Sequence, residues 1–389
     1  MNFLPVGTDD GHDSLKTCKG YDPLTKKYDC STIKSLALSG LHQVMSISNE
    51  SAAAYTADGK SFTIALDNAL GHTLETRFIE YPVSPLNRVL VQEALIRAGL
   101  GGKQINLVTG LPVDQFYVDG RPNEKLIEDK AANLLKTVTN HNPNSKPVGI
   151  SGSKVISEGI ATFYDVLLDG EGNVNHEVQQ LISRRPITVV DLGGKTCNQA
   201  TISENAAGVY KDRSGTENIG AIDLKGNISK ALKAHFNLNA EPPRKYVDEA
   251  CRTKTFELFG AAKDITEILE KECREYVGKI RDYFQTIQGD GADLGAVIFS
   301  GGGTVLIRLI LGDAVFNEIY RGRIIFGDEY SNARGMWKAA KYIMFPVSDL
   351  AAQNEAPDSN TSQVSSKSID SQALGKANKS SRKQDEVSA

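Results

Sequence analysis

Short apolar runs and longer stretches of helical spacing alternate along this chain, and their order predicts its elements. Three runs near the N-terminus, Phe3 to Thr8, Thr32 to Leu38 and Ser61 to Leu66, have the length and composition of strands. Asp58-Gly59, just before the third run, is a dipeptide typical of a tight hairpin turn. The first 80 residues are therefore predicted to be rich in β-structure.

Helical signals begin at Ser84, which suits an N-cap and is followed by Pro85 at the first helical position. Apolar residues then recur every fourth position until Gly99, which ends the predicted helix. The segment from Glu124 to Val138 predicts another helix. The strongest apolar stripe at three-and-four spacing runs from Ile265 to Phe284 and predicts a long helix packed on one face.

Between these helices the pattern changes several times. Ile105 to Val108 predicts a short strand that leads into Gly110-Leu111-Pro112. Residues 139–152 are polar and rich in proline and glycine, and are interpreted as a break. Glu158 begins a run with helical spacing. The stretch from Asp169 to Arg185 is interpreted as an exposed connection between two halves of the chain.

Buried strands are predicted at Ile187 to Val190 and Ala296 to Phe299, because both are continuous apolar runs. Strands alternating with helices, twice over, predict two α/β domains. The predicted bounds are 1–168 plus 331–348 for domain I, with a small inserted subdomain at about 32–80, and 186–330 for domain II. Residues 351–389 lack aromatic residues and are predicted to be a disordered tail.

Composition excludes several classes of function. The chain has 389 residues, of which 40% are hydrophobic and 24% charged, enough for two domains with buried cores. A net charge of −4 argues against direct DNA binding, which needs a basic surface. No signal peptide, no apolar run long enough to span a membrane and no CxxC pair is found in the sequence, so we expect a cytoplasmic protein.

Two Asp-x-Gly turns, Asp9-Asp10-Gly11 and Asp191-Leu192-Gly193, each follow a predicted strand and precede a second apolar run. Each predicts a hairpin, and the repeated pattern predicts an internal duplication. Glycine lets a backbone approach phosphate, and the N–H groups of such turns bind anions. The aspartate can hold Mg²⁺ through water, because magnesium keeps much of its hydration shell. Either turn alone also matches an ordinary hairpin, so a purely structural role stays open.

Three further features bear on chemistry. Gly193-Gly194-Lys195-Thr196 resembles the end of a P-loop, but that motif needs a glycine where Val189 stands, so a P-loop is rejected. Gly301-Gly302-Gly303 follows a strand and precedes a predicted helix, which suits a nucleotide lying against bare backbone, although a tight turn is the alternative. Glu158 stands at a helix start, where its charge also suits the helix dipole.

Taken in order, these segments resemble the actin-like ATPase superfamily, and most closely the ParM (StbA) family of plasmid segregation proteins. The resemblance covers roughly residues 1–345 and implies two actin-like (ribonuclease-H-like) α/β domains with a nucleotide cleft between them. It rests on these segments: Asp9-Asp10-Gly11, Gly110-Leu111-Pro112 with Tyr117 after it, Val155 to Ala161, Val189 to Thr196, Gly301-Gly302-Gly303 and Gly335-Met336-Trp337.

The resemblance implies a role for each matching residue, with ATP and Mg²⁺ as cofactors. Asp9 and Asp191 would hold Mg²⁺ through water, and Glu158 would orient or activate the water that attacks the γ-phosphate. The residues that would contact ATP are Asp10, Gly11, His12, Asp13, Gly193, Gly194, Lys195, Thr196, Gly220, Gly301, Gly302 and Gly303.

Four positions depart from the pattern of the family. His12 and Asp13 stand where small hydroxyl residues or glycine are usual, Lys195 where threonine or glycine is commoner, and Asn198 where aspartate is usual. An extra acid beside phosphate is unfavourable unless it points to solvent or metal. We expect these residues to tune the site rather than abolish it.

The resemblance implies an ATPase in the bacterial cytoplasm that polymerises with copies of itself and segregates plasmid DNA through a ParR-like centromere-binding adaptor. One alternative is a small-molecule kinase of the same superfamily, which needs a catalytic aspartate to deprotonate a hydroxyl, whereas Glu158 suits water better. The other is an ATP-binding scaffold that does not assemble.

Overall fold

The computed structural model describes residues 3–42, 53–64 and 73–345. The strands are β1 Leu4–Asp10, β2 Ser14–Asp22, β3 Lys27–Lys34, β4 Ala37–Ser39, β5 Ala53–Ala57, β6 Lys60–Ile64, β7 Gln104–Leu111, β8 Tyr117–Val118, β9 Arg121–Pro122, β10 Thr139–Asn140, β11 Gly149–Ser157, β12 Ile187–Leu192, β13 Cys197–Ile202, β14 Gly215–Glu217, β15 Thr255–Leu258, β16 Ala261–Asp264, β17 Ala296–Ser300 and β18 Ile324–Phe326. The predicted tail at 351–389 and the predicted end of a strand at Leu66 lie outside the described residues.

Helices separate most of these strands. They are α1 Pro85–Leu95, α2 Val113–Phe116, α3 Glu124–Leu135, α4 Glu158–Leu167, α5 His176–Arg184, α6 Ala221–His235, α7 Arg244–Thr253, α8 Thr266–Gln288, α9 Gly301–Leu311 and α10 Ser331–Ala339. The N-cap of α1 is Ser84, whose side chain accepts a hydrogen bond from the backbone N–H of Asn87, as the sequence predicts. In the described part of the chain, no helix is long and apolar enough to cross a membrane.

Two five-stranded sheets share one topology. The first sheet has the order β3-β2-β1-β7-β11 and the second has the order β14-β13-β12-β17-β18. In each sheet the first three strands are antiparallel hairpin partners, and the last two run parallel to the central strand. The predicted internal duplication and the predicted α/β fold are therefore confirmed. The bounds proposed for the two domains stay predictions.

A smaller sheet, with the order β10-β5-β6-β4, shares one hydrophobic core with the first sheet. Its β5–β6 hairpin turns at Asp58-Gly59, as predicted, with Tyr55 opposite Phe62. Asp58 and Gly59 have φ values of 49° and 74°, the left-handed backbone that both central positions of this turn require.

Helices α4 and α10 cross between the two sheets. Helix α4 follows the last strand of the first sheet and contacts β12 and β13 of the second, while α10 follows the last strand of the second sheet and contacts β1 and β2 of the first. The two helices meet at Gly335, where a Cβ atom would collide with the backbone carbonyl of Ala161. The absence of a side chain at Gly335 therefore allows the two helices to pack closely where the halves of the molecule join.

Three predictions about local structure are wrong. Residues 139–152 are not only a break, because β11 begins at Gly149 and forms the edge of the first sheet. The run from Thr32 to Leu38 is two strands, since Ser35 donates hydrogen bonds to the carbonyls of Gly11 and Asp13 and the chain passes to another sheet. The presumed connection at Asp169 to Arg185 contains α5, which buries Val178 and Ile182.

Candidate functional site

The two predicted Asp-x-Gly turns occupy equivalent places in the two sheets. Asp9 is the penultimate residue of β1 and pairs with Lys16 across its hairpin, and Asp191 is the penultimate residue of β12 and pairs with Asn198. β1 and β12 are the central strands of their sheets. The duplicated fold therefore brings both aspartates to the ends of corresponding strands.

Both turns face one narrow cavity of about 70 Å³. The predicted site residues that line it are Asp9, Asp10, Gly11, His12, Asp13, Glu158, Asp191, Gly193, Gly194, Lys195, Thr196 and Gly301. A larger cavity of about 550 Å³ adjoins it and shares Asp13, Lys16 and Gly194 in its wall. The space thus has a narrow part between the hairpins and a wide part beside them.

Two buried acids, Asp9 and Asp191, and the half-buried Glu158 dominate the narrow part. Burial and the charges of Asp9 and Asp191 raise the pKa of Glu158 well above its ordinary value, and burial followed by the charge of Asp9 raises the pKa of Asp191. Lys16 donates to Asp9 Oδ2 at 3.2 Å. Burial alone would lower the pKa of Lys16, but the neighbouring carboxylates raise it above its ordinary value. Negative charge exceeds positive charge here, so the site suits an additional cation.

Each of these acids is held by neighbours. Asp191 accepts hydrogen bonds from Ser300 Oγ at 3.2 Å and Asn332 Nδ2 at 3.0 Å. Glu158 accepts one from Asn198 Nδ2 at 3.1 Å. Sequence reasoning missed Lys16 and Asn332; the hairpin register places Lys16 opposite Asp9, which the sequence could have indicated, whereas Asn332 comes from distant α10 and left no signal.

Asp10 was predicted to contact the cofactor, but its carboxylate is bound within the protein. Lys130 lies 2.8 Å from Asp10 Oδ2 and also donates to the carbonyl of Gly110, and Asn87 Nδ2 donates to Asp10 at 2.6 Å. Lys130 and Asp10 are both buried. Lys130 therefore ties Asp10, at the end of β1, to Gly110 in β7. Lys130 was not among the residues predicted from the sequence.

The unusual residues of the first turn have partners of their own. Asp13 forms an ion pair with Arg244 of α7 and lies 3.6 Å from Lys34, so its charge turns towards cations at the mouth of the cleft. His12 packs against Tyr81 with ring centroids 5.1 Å apart. Burial, helped by Lys195, lowers the pKa of His12 to about 4, so His12 is neutral at neutral pH.

The glycines predicted beside the nucleotide divide into two groups. Gly301 has a φ of 87° and lies against Asp191, where a Cβ atom would stand 2.5 Å from Oδ1. Gly302 lines the wide cavity. Gly220 and Gly303 do not line either space; Gly220 packs on the backbone of Gly194, and Gly303 packs on Leu192. Both therefore support the second hairpin from behind.

The residues present fit a nucleotide with a divalent cation. Two glycine-bearing turns line the same cavity as Asp9 and Asp191, and the N–H groups of such turns can bind phosphate. In the described ranges, no three His, Cys, Asp or Glu side chains converge closely enough to ligate a metal directly. Such a donor set suits magnesium that keeps its water ligands.

Comparison with known proteins agrees with this geometry. Residues 25–169 match the family model described as plasmid segregation protein ParM, N-terminal. No curated protein sequence matches the chain. The residues that match the ParM model contain helices α1, α2, α3 and α4.

Several solved structures share the fold. An archaeal actin homologue in complex with ADP has a TM-score of 0.66 and 18% identity, covering 87% of this chain and 99% of that one. A 15-stranded ParM filament from Clostridium botulinum gives the same four values. Bacillus thuringiensis ParM with ATP has a TM-score of 0.61 and 16% identity, covering 91% of this chain and 100% of that one. The chain has the actin fold.

Proposed function

We propose that this chain, an actin-fold protein whose residues 25–169 match the ParM N-terminal model, is an ATPase that polymerises. It would close around ATP and Mg²⁺ in the bacterial cytoplasm and segregate plasmid DNA. The observation that carries the proposal is that Asp9, Asp191 and Glu158, from both sheets, face one cavity. Solved ParM and actin structures with ADP, with ATP and as a filament support the nucleotide and the assembly.

The residues divide the work by position. The N–H groups of Gly11 and Gly194 would bind phosphate oxygens, whereas the N–H of Gly193 donates to the carbonyl of Thr196 within the hairpin. Asp9 and Asp191 would hold Mg²⁺ through its water ligands. The nucleoside would lie in the wide cavity, against Gly302. When bound, Mg²⁺ would neutralise phosphate charge and favour ionised carboxylates nearby.

Glu158 would orient the attacking water. Its raised pKa reflects burial beside two other acids, so added positive charge between Asp9 and Asp191 would favour its ionised form. An ionised carboxylate can then accept a proton from water in line with the γ-phosphate. A small-molecule kinase would need an aspartate to deprotonate the hydroxyl of its substrate. Glu158 occupies the corresponding place here and is better suited to water, which favours hydrolysis.

Nucleotide would act on assembly through the closed state. A ligand shifts a conformational equilibrium only by binding one state more tightly. Nucleotide held by both hairpins favours the arrangement in which the halves approach, and we propose that this arrangement forms filament contacts. The net charge of −4 leaves the link to DNA to a ParR-like centromere-binding adaptor.

Light scattering tests the proposal. Purified protein at micromolar concentration is mixed with Mg²⁺ and ATP, ADP or no nucleotide. We expect scattering to rise with ATP and then decay, and not to rise with ADP. Glu158→Ala should assemble with ATP without decay and release phosphate at least about 100-fold more slowly. Glu128→Ala, an exposed residue of α3, should behave as wild type. If ATP gives no rise in scattering, polymerisation is not the function.

A further inference from the structure

Asn198 links the second sheet to Glu158. Asp191, Asn198 and Thr216 stand side by side on β12, β13 and β14, because Asn198 is the register partner of both others. Asn198 is 2% exposed. Its Nδ2 donates to Glu158 Oε2 at 3.1 Å and lies 3.5 Å from Thr196 Oγ1. A buried amide thus contacts the carboxylate at the centre of the proposed site.

The orientation of this amide is fixed from its other side. Thr216 Oγ1 donates to Asn198 Oδ1 at 2.8 Å, so the oxygen faces Thr216 and the NH₂ group faces Glu158. The backbone N–H of Thr216 in turn donates to Asp114 Oδ2 at 3.0 Å. If the two ends of the Asn198 amide were exchanged, Oδ1 would face the carboxylate of Glu158, which would lose this hydrogen-bond donor.

Glu158 reaches the amide from the other half of the molecule. It begins α4 immediately after β11 of the first sheet, and its Cγ packs against Gly110, where a Cβ atom would stand 2.9 Å away. Asn198 belongs to the second sheet. The hydrogen bond between them therefore joins the two halves, beside Gly159, which packs against Ala200 of β13.

We infer that Asn198 is a positioning residue that aligns Glu158 for hydrolysis. This rests on the proposed function, because it presumes that Glu158 acts on the attacking water. Without this amide, the carboxylate of Glu158 would be free to rotate, while nucleotide could still bind. Misplacing a reacting group by about 1 Å can slow a reaction about 100-fold, which sets the scale of the effect.

Three variants test the inference in the full-length chain. Asn198→Ala removes the donor, Asn198→Asp replaces it with an acid that repels Glu158, and Thr216→Val removes only the hydroxyl that orients the amide. For each, phosphate release at saturating ATP gives kcat, and a fluorescent ATP analogue gives the nucleotide affinity. Thermal unfolding checks that each variant is folded.

We expect kcat to fall about 10- to 100-fold in both Asn198 variants and less in Thr216→Val, with nucleotide affinity changed by no more than about threefold. In a Glu158→Ala background, Asn198→Ala should have no further effect on kcat. A folded Asn198→Ala variant with wild-type kcat overturns the inference. So does a loss of kcat on Asn198→Ala substitution that is equal in the wild-type and Glu158→Ala backgrounds. If Asn198→Ala does not fold, Thr216→Val decides. Absence of ATP hydrolysis by wild type would instead overturn the proposed function, and this inference with it.

Discussion

Gly194 of the second hairpin lies against Asp13 of the first, so closely that a Cβ atom at Gly194 would stand 2.5 Å from Cβ of Asp13. The contact joins turns from two different sheets. It shows that the two turns nearly touch at this point. A glycine is needed here for the approach itself, since the backbone of Gly194 does not adopt a positive φ.

Gly194→Ala should therefore separate the hairpins without straining the backbone. We expect ATP affinity to fall at least about tenfold, equivalent to about 1.4 kcal/mol, because the phosphates lose contacts from one side. Gly208→Ala is the control, since a Cβ atom there has no neighbour within 4 Å. Titration with a fluorescent ATP analogue gives both affinities. Equal affinities for the two variants would show that the close approach is not used for binding.

Ion pairs across the cleft mouth should slow nucleotide release. Asp13 pairs with Arg244, and Lys34 lies 3.5 Å from Asp248, so each half supplies one acid and one base. Partly exposed pairs contribute up to about 1 kcal/mol each, so Arg244→Gln should speed release about three- to fivefold. Stopped-flow chase of a fluorescent nucleotide measures the rate.

The control for this prediction is Lys125→Gln, which breaks an exposed pair with Asp129 within α3 and should leave release unchanged. Added salt should speed release in wild type more than in Arg244→Gln, because screening weakens a pair that the variant has already lost. A release rate that is the same in Arg244→Gln and wild type would remove any role for the ion pairs.

Local signals predicted most of the fold. A helix cap, a hairpin turn and an apolar helix face each depend on residues that are close in sequence. The elements marked by Ser84, by Asp58-Gly59 and by the apolar stripe that ends at Phe284 could therefore be predicted from the sequence. Strand β11 was missed because Gly149 and Gly152 interrupt its pattern at the sheet edge, where one side needs no burial. Helix α5 was missed because only two of its residues, Val178 and Ile182, are buried.

The site shows the same limit. The hairpins were predictable because each is contiguous in sequence. Lys130 and Asn332 were not, because they reach Asp10 and Asp191 from 120 and 141 residues away. Nothing in a single sequence reports such pairings. Gly220 and Gly303 pack closely against backbone and side chains of the second hairpin, and their contact with nucleotide stays a prediction.

Gly335→Ala should destabilise the crossing of α4 and α10. The added methyl group would collide with the carbonyl of Ala161, and overpacking a buried contact costs about 1–3 kcal/mol. Gly278→Ala is the matched control in α8, where a Cβ atom has no neighbour within 4 Å, and it should stabilise by about 0.5–1 kcal/mol through helix propensity. Urea unfolding gives both values. If both variants change the free energy of unfolding in the same direction, the packing described for Gly335 is contradicted.

His12 should make the apo protein less stable as pH falls. Its pKa is about 4 in the folded chain and near 6.5 unfolded, so between these values the unfolded state binds more protons. The contribution to stability is fully present above pH 6.5 and is lost by pH 4, up to about 3 kcal/mol. Urea unfolding of wild type and His12→Asn over this range isolates it. If the free energy of unfolding depends on pH in the same way for wild type and His12→Asn, the prediction is contradicted.

The central claim is that Asp9 and Asp191 share one magnesium–nucleotide site. Isothermal titration calorimetry of ATP, with and without Mg²⁺, measures this in wild type, Asp9→Asn, Asp191→Asn and the exposed control Asp129→Asn. We predict that Mg²⁺ tightens ATP binding by wild type and by the control, and that both Asp9→Asn and Asp191→Asn lose most of that gain. If either of these two variants keeps the full gain, the hairpins do not hold one metal between them.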